Sequence, residues 1–335
     1  MTNLKSFIEG MPKCELHVHI EGTLEPEMKF QLAKRNNVQL PYKDEKALKA
    51  AYDFDDLPSF LAVYYEGMSV LLTEQDFFDV TYAYLSKARS QNVRYAEMFF
   101  DPQAHTARGV SFDTVIRGIR RAQLQAETAL GIRSQLIMCF LRDWSAEFAM
   151  ATLLQSLPYK EWIIGVGLDS DEKNNPPVKF AKVFQRARAE GYLITMHCDV
   201  DQEGSVGHIW QTIRDIGVNR IDHGVNSLED SELCEEIKRR SLALTVCPIS
   251  NAYVTDGSKS QAIADMLRRG MRVTVNSDDP AYFPGYMNEN LQRVHEEVGL
   301  DKQQLVQLAT NAFESAWLPR ATRDDYLTEL RVYAA

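Results

Sequence analysis

The chain of 335 residues carries 37 basic and 47 acidic side chains, which gives a formal net charge of −10, and 45% of its residues are hydrophobic. This acidic excess argues against nucleic acid or an anionic membrane surface as a partner. No apolar run reaches the roughly 18 residues that cross a bilayer, and the N-terminus lacks the apolar core of a signal peptide, so we expect a cytoplasmic protein. Five cysteines without a Cys-x-x-Cys pair predict neither a disulfide framework nor a cysteine-rich zinc finger.

Short, almost continuously apolar runs alternate along the chain with longer segments of helical period. Such runs are typical of parallel strands that are covered on both faces. Eight of them occur, at residues 14–20, 93–100, 134–141, 163–168, 193–197, 220–223, 243–247 and 272–276. The segment 75–91, with Phe78, Tyr82 and Leu85 on one face, is one of the intervening stretches that predict a helix. Eight strand–helix repeats predict an α/β fold of the (β/α)8 TIM barrel type.

Two stretches lie outside this repeat. Residues 25–73 predict a helical insert after strand 1, placed over one mouth of the barrel either as a lid or as packing alone. Residues 289–297 and 303–318 predict C-terminal helices that pack outside or across the barrel. No linker rich in Gly, Pro or Ser marks a boundary, so we expect residues 1–335 to form a single domain. The sequence contains no indication of an oligomeric state.

Polar side chains end several predicted strands, and in a TIM barrel the loops after the strands build the active site. His17 and His19 end the first strand and point to the same side, so they can converge on one ion. Later strand ends supply His197, Asp222, His223, Asp278 and Asp279. Three imidazoles and a carboxylate suit one zinc ion, with Fe(II), Mn or Co as other occupants.

Each of these residues also has a purely structural interpretation. The His-x-His pair could bond to the backbone, and one of the two aspartates could cap a helix that begins near Ala281 after Pro280. For the histidines outside the strand ends we expect surface or local structural roles: His105, His208 and His295. The convergence of several strand ends at one mouth favours the metal site.

Five motifs together resemble the adenosine and adenine deaminases of the amidohydrolase superfamily, and the resemblance covers nearly the whole chain. They are PKCELHVHIEGTLEP (12–26), MHCDVD (196–201), RIDHGV (220–225), TVCPISN (245–251) and TVNSDDPAYF (274–283). The resemblance implies a zinc enzyme with a (β/α)8 barrel that replaces the 6-amino group of a purine with oxygen and releases ammonia. Its partner would be this small-molecule purine alone.

The resemblance also implies roles for individual residues. The metal ligands would be His17, His19, His197 and Asp278. Asp278 would also take the proton of the attacking water, whose pKa the metal lowers, and His223 would hold the oxygen of that water. Asp279 would bind the purine ring at N7.

The sequence departs from the family at the proton donor. Protonation of purine N1 requires an acid, which the family motif His-Ala-Gly-Glu supplies three residues after the strand-five histidine. That position is Val200, which has no proton to donate. Because the loop is two residues longer, Asp201, Gln202 or Glu203 could reach this position. We expect Glu203 to be the catalytic acid, with Asp201 as the next candidate and Asp199 as a less favoured one.

A second departure concerns the substrate. Adenosine-specific members carry Asp two residues after the second metal histidine, whereas this chain has Glu21, whose longer side chain would intrude on the ribose site. The segment 167–172, with Gly167 and Asp169, resembles the adenine-specific branch. We therefore expect Glu21, Gly167, Asp169 and Asp279 to bind the substrate. We expect this substrate to be adenine, converted to hypoxanthine in purine salvage, with adenosine or an N6-substituted adenine as alternatives.

Two interpretations from other classes compete with this one. A metal-dependent hydrolase of amides or phosphoesters would share the His-x-His motif, but many of these bind two metals through a lysine on strand 4, and this strand has none. A catalytically inactive barrel that binds a purine or a partner would have no use for the complete set of ligands.

Overall fold

Nine short parallel strands form the centre of the fold. A computed structural model describes residues 4–335. Within that range the strands are β1 (Lys13–His19), β2 (Val93–Phe100), β3 (Arg133–Leu141), β4 (Ile163–Asp169), β5 (Leu193–Ile194), β6 (His197–Cys198), β7 (Ile221–His223), β8 (Ala243–Val246) and β9 (Arg272–Val275). Since only Thr195 and Met196 separate β5 from β6, these two pieces correspond to one predicted strand. The eight predicted strands are therefore all present.

The strands pair in two sheets of order β1-β2-β3-β4-β5 and β6-β7-β8-β9. Thr195 and Met196 join the two sheets. Thr195 N donates to Val166 O of β4 (3.1 Å), and Met196 O accepts from Asp222 N of β7 (2.9 Å). At the other junction Val18 of β1 forms a parallel bridge with Asp278, just beyond β9. The predicted (β/α)8 barrel architecture is confirmed.

Helices connect the strands and surround them. They are α1 (Leu4–Gly10), α2 (Pro26–Arg35), α3 (Glu45–Ala50), α4 (Leu57–Gly67), α5 (Glu74–Ser90), α6 (Pro102–Thr106), α7 (Phe112–Leu130), α8 (Ala146–Ser156), α9 (Ala181–Ala189), α10 (Ser205–Gln211), α11 (Ser231–Arg239), α12 (Pro248–Val254), α13 (Ser260–Arg268), α14 (Met287–Val298), α15 (Lys302–Ser315) and α16 (Arg320–Ala334). Among the described residues, none of these helices combines the length and the apolar character that a bilayer span requires.

The predicted insert contains α2, α3 and α4. Helix α4 begins at a capping box in which Asp56 accepts from the backbone N–H of Ser59, which supplies a partner for one free amide of the first turn. Its apolar face packs over the barrel mouth, where the Phe60 ring lies 4.6 Å from that of Phe283 and the Tyr64 ring 5.5 Å from that of Tyr282. The insert therefore covers the end of the barrel at which the polar strand ends meet.

A buried ion pair crosses the inside of the barrel. Arg220 Nη1 donates to Glu97 Oε2 at 2.5 Å, and Arg220 Nη2 donates to the backbone oxygen of Leu16 at 3.2 Å. The Arg220 guanidinium also lies 4.4 Å from the centre of the Trp317 ring, which follows α15. Because these groups are fully buried, the Arg220 charge is compensated by Glu97 at close range and by Asp222, whose Oδ1 lies 3.7 Å from Arg220 Nε.

Replacing Glu97 by Gln should lower the free energy of unfolding by an amount near the lower end of about 3–5 kcal/mol, because Arg220 would lose its nearest carboxylate and keep only Asp222 Oδ1, 3.7 Å from its Nε. Urea unfolding followed by circular dichroism measures this change. Glu127→Gln removes the partner of Arg133 in an exposed ion pair and should cost less than about 1 kcal/mol. Equal losses in the two variants would contradict the assigned role of the buried pair.

Candidate active site

The strand ends bring histidine and aspartate side chains together below α4. One ligand atom from each of four buried residues lies within 4.8 Å of the others: His17, His197, His223 and Asp278. His17 Nε2 is 3.0 Å from Asp278 Oδ1. His19 Nε2 lies 3.1 Å from His197 Nε2 and 3.4 Å from Asp278 Oδ1. All four predicted metal ligands therefore converge on one point.

The hydrogen bonds of His17 show that this point fits a metal ion. The Thr245 hydroxyl donates to Asp222 Oδ1 (3.0 Å), so the hydroxyl oxygen accepts the proton of His17 Nδ1 (2.8 Å). His17 Nε2 then carries a lone pair, and it is buried without a hydrogen-bond partner although Asp278 Oδ1 is near. Nitrogen lone pairs and a carboxylate directed at one point are the donor set of a divalent cation.

The backbone at two of these residues adopts a conformation that costs energy. Asp278 has φ 65° and His223 has φ 56°, both in the left-handed region that side chains with a Cβ rarely occupy. Asp278 is held there because its N–H donates to His17 O (3.1 Å) and its carbonyl accepts from His19 N (2.9 Å). Such strain of about 1–3 kcal/mol persists where the surroundings impose it, and it directs these side chains into the cluster.

A cavity with an empty volume of about 590 Å³ opens above the cluster. Polar residues form part of its wall: Asp101, Asp169, Ser170, Asp199, Asn251 and Asp279. Apolar residues form the rest: Leu57, Phe60, Leu61, Val200, Val254 and Phe283. Helix α4 supplies three of these apolar side chains, so the insert is part of the wall of the cavity.

The loop after β6 places its carboxyl groups differently from our expectation. Glu203 is exposed. The Asp201 side chain is 41% exposed and pairs with Lys259 Nζ at 2.6 Å. Neither lines the cavity, although Gln202 between them does, and the backbone at Asp201 has a φ of 58°. The expectation that Glu203 or Asp201 reaches the site is corrected, and the carboxyl group of this loop that lines the cavity is that of Asp199.

The backbone of Asp199 is fixed by hydrogen bonds on the side away from the cavity. Its backbone N–H donates to Glu172 Oε2 at 2.6 Å, and His208 Nδ1 hydrogen-bonds the other oxygen of Glu172 at 2.7 Å. Asp199 Oδ1 faces the cluster, 3.6 Å from His223 Nε2. Burial, followed by the nearby Glu172 carboxylate, raises the pKa of Asp199 well above its ordinary value, which favours the protonated form. His208 thus has the local structural role that we expected.

Two residues predicted to bind substrate lie outside the cavity wall. Glu21 Oε1 accepts from Asp101 N (3.1 Å) and bonds His105 Nε2 (2.8 Å), so this side chain supports the end of β2. Gly167 lies within β4, where an added Cβ would come within 2.6 Å of Cys139 Sγ in the barrel interior. The prediction that Glu21 and Gly167 bind the substrate is corrected. The Glu21 side chain contacts Asp101 and His105, and Gly167 faces Cys139, so neither lines the cavity.

Asp169 lines the cavity as predicted, together with Asp101, a residue that the sequence reasoning missed. Burial raises the pKa of Asp169 to about 6, and burial followed by the neighbouring Asp169 carboxylate raises that of Asp101 well above its ordinary value. Asp101 directly follows the run that forms β2, so the rule that strand ends build the site would have found it. The same rule applies to Ser170, directly after β4.

Asp279 lies beside the cluster, and its side-chain position requires a glycine at position 22. Its Oδ1 is buried without a hydrogen-bond partner, and burial raises its pKa well above the ordinary value. A Cβ added to Gly22 would overlap this oxygen and lie 2.8 Å from the Asp279 Cα. No helix begins at Ala281, where the chain forms turns, so the helix-cap interpretation of the aspartate pair is wrong.

Comparisons with known proteins agree with the geometry. The sequence model of the family described as adenosine deaminase matches residues 12–333. A Schizosaccharomyces pombe protein described as an uncharacterized deaminase is 53% identical over 100% of this chain and 99% of that protein. An adenine deaminase of Chlorobium phaeobacteroides is 49% identical over 98% of each chain.

Two solved structures share the architecture. An adenine deaminase from Arthrobacter aurescens superposes with a TM-score of 0.93 at 41% identity, covering 97% of this chain and 99% of that one. An amidohydrolase from Burkholderia ambifaria with bound Zn superposes with a TM-score of 0.90 at 25% identity, covering 100% of this chain and 94% of that one.

The barrel and its buried cluster of imidazoles and a carboxylate define a metal-dependent hydrolase. The chain belongs to the adenosine deaminase family, which the match over residues 12–333 and the identity to its relatives establish. The family resemblance read from the sequence motifs is confirmed. Family membership also decides against a catalytically inactive barrel.

Gly22→Ala should lower kcat/KM by about 10²-fold, because the new methyl group displaces Asp279 from the cavity wall, and misplacement by about 1 Å has effects of this size. Gly207→Ala is the matched control, since an added Cβ there meets no atom within 4 Å. Steady-state kinetics, with circular dichroism as a check of folding, provide the measurement. An active and folded Gly22→Ala enzyme would show that Asp279 is free to move.

Proposed function

We propose that this chain is a zinc-dependent enzyme that hydrolyses adenine to hypoxanthine and ammonia. The observation that carries the proposal is the convergence of His17, His19, His197 and Asp278 at the floor of a cavity whose wall contains several buried carboxyl groups. Relatives named adenine deaminases at 47–49% identity over nearly the full chain support the choice of adenine. The substrate is thus a small, neutral purine.

Zinc is the proposed metal because the donors are imidazole nitrogens and a carboxylate, and because the Burkholderia ambifaria neighbour holds Zn. His17, His19, His197 and Asp278 would hold the ion. When bound, a divalent ion of this kind lowers the pKa of a water molecule toward 7 and so makes a nucleophile available at neutral pH.

The side chains around the ion move the protons of the reaction. Asp278 Oδ2 is 3.7 Å from His223 Nε2, so these two groups together can hold the attacking water, and Asp278 can take its proton. Burial lowers the pKa of His223 to about 4, which keeps its ring neutral. Asp279 is positioned to hydrogen-bond N7. The C6–O bond forms and the C6–N bond breaks. One proton of the attacking water passes through Asp278 to the amino group, which leaves as ammonia, and the other returns to the group that protonates N1.

Asp199 is the proposed proton donor to N1. It lines the cavity with its Oδ1 3.6 Å from His223 Nε2, while Val200 occupies the sequence position of the family glutamate. A carboxyl group one residue earlier in the chain therefore replaces the family acid. Glu203 and Asp201 are too far out on the loop for this role.

Replacing Asp199 by Asn should reduce kcat by about 10²-fold or more, the usual contribution of a positioned proton donor. Glu203→Gln, an equivalent change at an exposed position of the same loop, should leave kcat unchanged. Steady-state kinetics of both variants with equal metal content provide the comparison. Full activity of the Asp199→Asn enzyme, together with a reduced kcat of the Glu203→Gln enzyme, would show that Glu203 is the proton donor.

An N6-substituted adenine is the second candidate substrate, and one observation favours it. Val200, Val254, Leu57 and Leu61 give the cavity an apolar lining that suits an alkyl group better than an amino group alone. With such a substrate the leaving group would be an alkylamine, and the rest of the chemistry would be unchanged.

A panel of adenine, adenosine and N6-methyladenine distinguishes these substrates. We expect the zinc-loaded enzyme to release ammonia from adenine faster than from adenosine, and a chelated sample to release none. A higher kcat/KM for N6-methyladenine, with methylamine as the product, would favour the second candidate. No turnover of any of the three by the metal-loaded protein would overturn the proposed function.

A further inference from the structure

Two buried carboxyl groups on the cavity wall contact each other, and that of Asp169 also contacts the Cys139 thiol. Asp101 is 1% exposed and Asp169 is 3% exposed. Asp101 Oδ1 and both carboxylate oxygens of Asp169 are buried, and among the described residues no N–H or hydroxyl group donates to them. Buried polar atoms in folded proteins nearly always have a partner, and leaving one unpaired costs free energy. A bound ligand with an N–H group would supply the missing hydrogen-bond donor.

The position of Asp101 is fixed by the residues behind it. Its backbone N–H donates to Glu21 Oε1, and His105 Nε2 bonds the same oxygen. Arg108 Nη2 in turn donates to His105 Nδ1 at 2.8 Å, so this ring donates from Nε2 to Glu21. Glu21 is a positioning residue for Asp101, which explains why it points away from the cavity.

The His19 ring separates this carboxyl pair from the metal cluster. Its Nε2 faces His197 and Asp278, and its Nδ1 lies 3.6 Å from Asp169 Oδ2. One ligand atom each of His19, Asp101 and Asp169 lies within 4.8 Å of the others. The pair is therefore about one ring width away from the reacting centre, and it faces the same cavity.

The proposed orientation of adenine directs a hydrogen-bond donor away from the cluster. With C6 at the cluster, N1 toward Asp199 and N7 toward Asp279, the edge of the purine that carries N3 and N9 lies on the far side of the ring system. A free base has N–H at N9, whereas a nucleoside has carbon there. Carboxyl oxygens accept from such an N–H group.

We propose that Asp101, together with Asp169, accepts a hydrogen bond from the N9–H group of a free purine base, and that this contact makes the enzyme selective for bases over nucleosides. The inference rests on the proposed function, because it uses the orientation of the bound purine. An N9-substituted purine would leave Asp101 Oδ1 buried without this donor. Sites built around a substrate N–H reject the analogue that lacks it by about 10⁴-fold.

Kinetics with adenine and 9-methyladenine test the proposal. In the wild type we expect kcat/KM to be about 10⁴-fold higher for adenine. Asp101→Leu removes the acceptor, so the value for adenine should fall through KM and the ratio should collapse by about 10²-fold. Asp101→Asn keeps one acceptor oxygen and should restore most of the ratio. Asp143→Leu makes the same change at an exposed position after β3 and should alter neither constant.

Two results would overturn the inference. One is a wild type that turns over 9-methyladenine as fast as adenine. The other is an Asp101→Leu enzyme in which both substrates lose the same factor, since a merely structural role lowers both alike. Calorimetric binding of hypoxanthine and 9-methylhypoxanthine gives the same comparison without turnover. Tight binding of hypoxanthine alone by an enzyme that does not deaminate adenine would contradict the proposed function and still support the role of Asp101.

Discussion

The site depends on the contact between the first and the last strand of the barrel. His17 and His19 near the N-terminus and Asp278 near the C-terminus exchange backbone hydrogen bonds, and the same backbone positions their side chains around one point. Leu16 N also donates to the Asn276 side chain at 2.9 Å, which adds to this junction. The contacts that close the barrel are therefore the same contacts that form the site, and they join residues about 260 positions apart in the chain.

Electrostatics set the second constraint on the site. Five carboxyl groups surround one cavity: Asp101, Asp169, Asp278 and Asp279 are fully buried, and the Asp199 side chain is 13% exposed. Such a concentration of acidic groups is unfavourable unless cations, protons or hydrogen-bond donors compensate it. The imidazoles and a divalent ion would compensate those near the cluster, while raised pKa values indicate that Asp101, Asp199 and Asp279 hold their protons more tightly. The proposed reaction uses this excess of acidic groups, because a carboxyl group that keeps its proton can donate it to the substrate.

The sequence was sufficient for the barrel and for the convergence of His17, His19, His197 and Asp278, because strand-end positions and side-chain alternation follow from local pattern alone. It was not sufficient for the loop after β6. Whether Asp199 or Glu203 faces inward depends on the φ of 58° at Asp201 and on its ion pair with Lys259, which belongs to a distant part of the chain. Glu21 was misplaced for a similar reason, since its direction is set by His105, and an insert of three helices separates the two residues in sequence.

The packing of α4 has a consequence for how this enzyme can change over evolution. Phe60 and Tyr64 of the insert rest on Tyr282 and Phe283, which follow Asp279 by only a few residues. The cover of the cavity and the segment that carries two of its carboxyl groups thus share one small apolar core. An insert taken from a relative with a different aromatic pattern would disturb the segment after β9 as well. The insert is consequently not an exchangeable module, and new substrate ranges require coordinated changes on both sides of this contact.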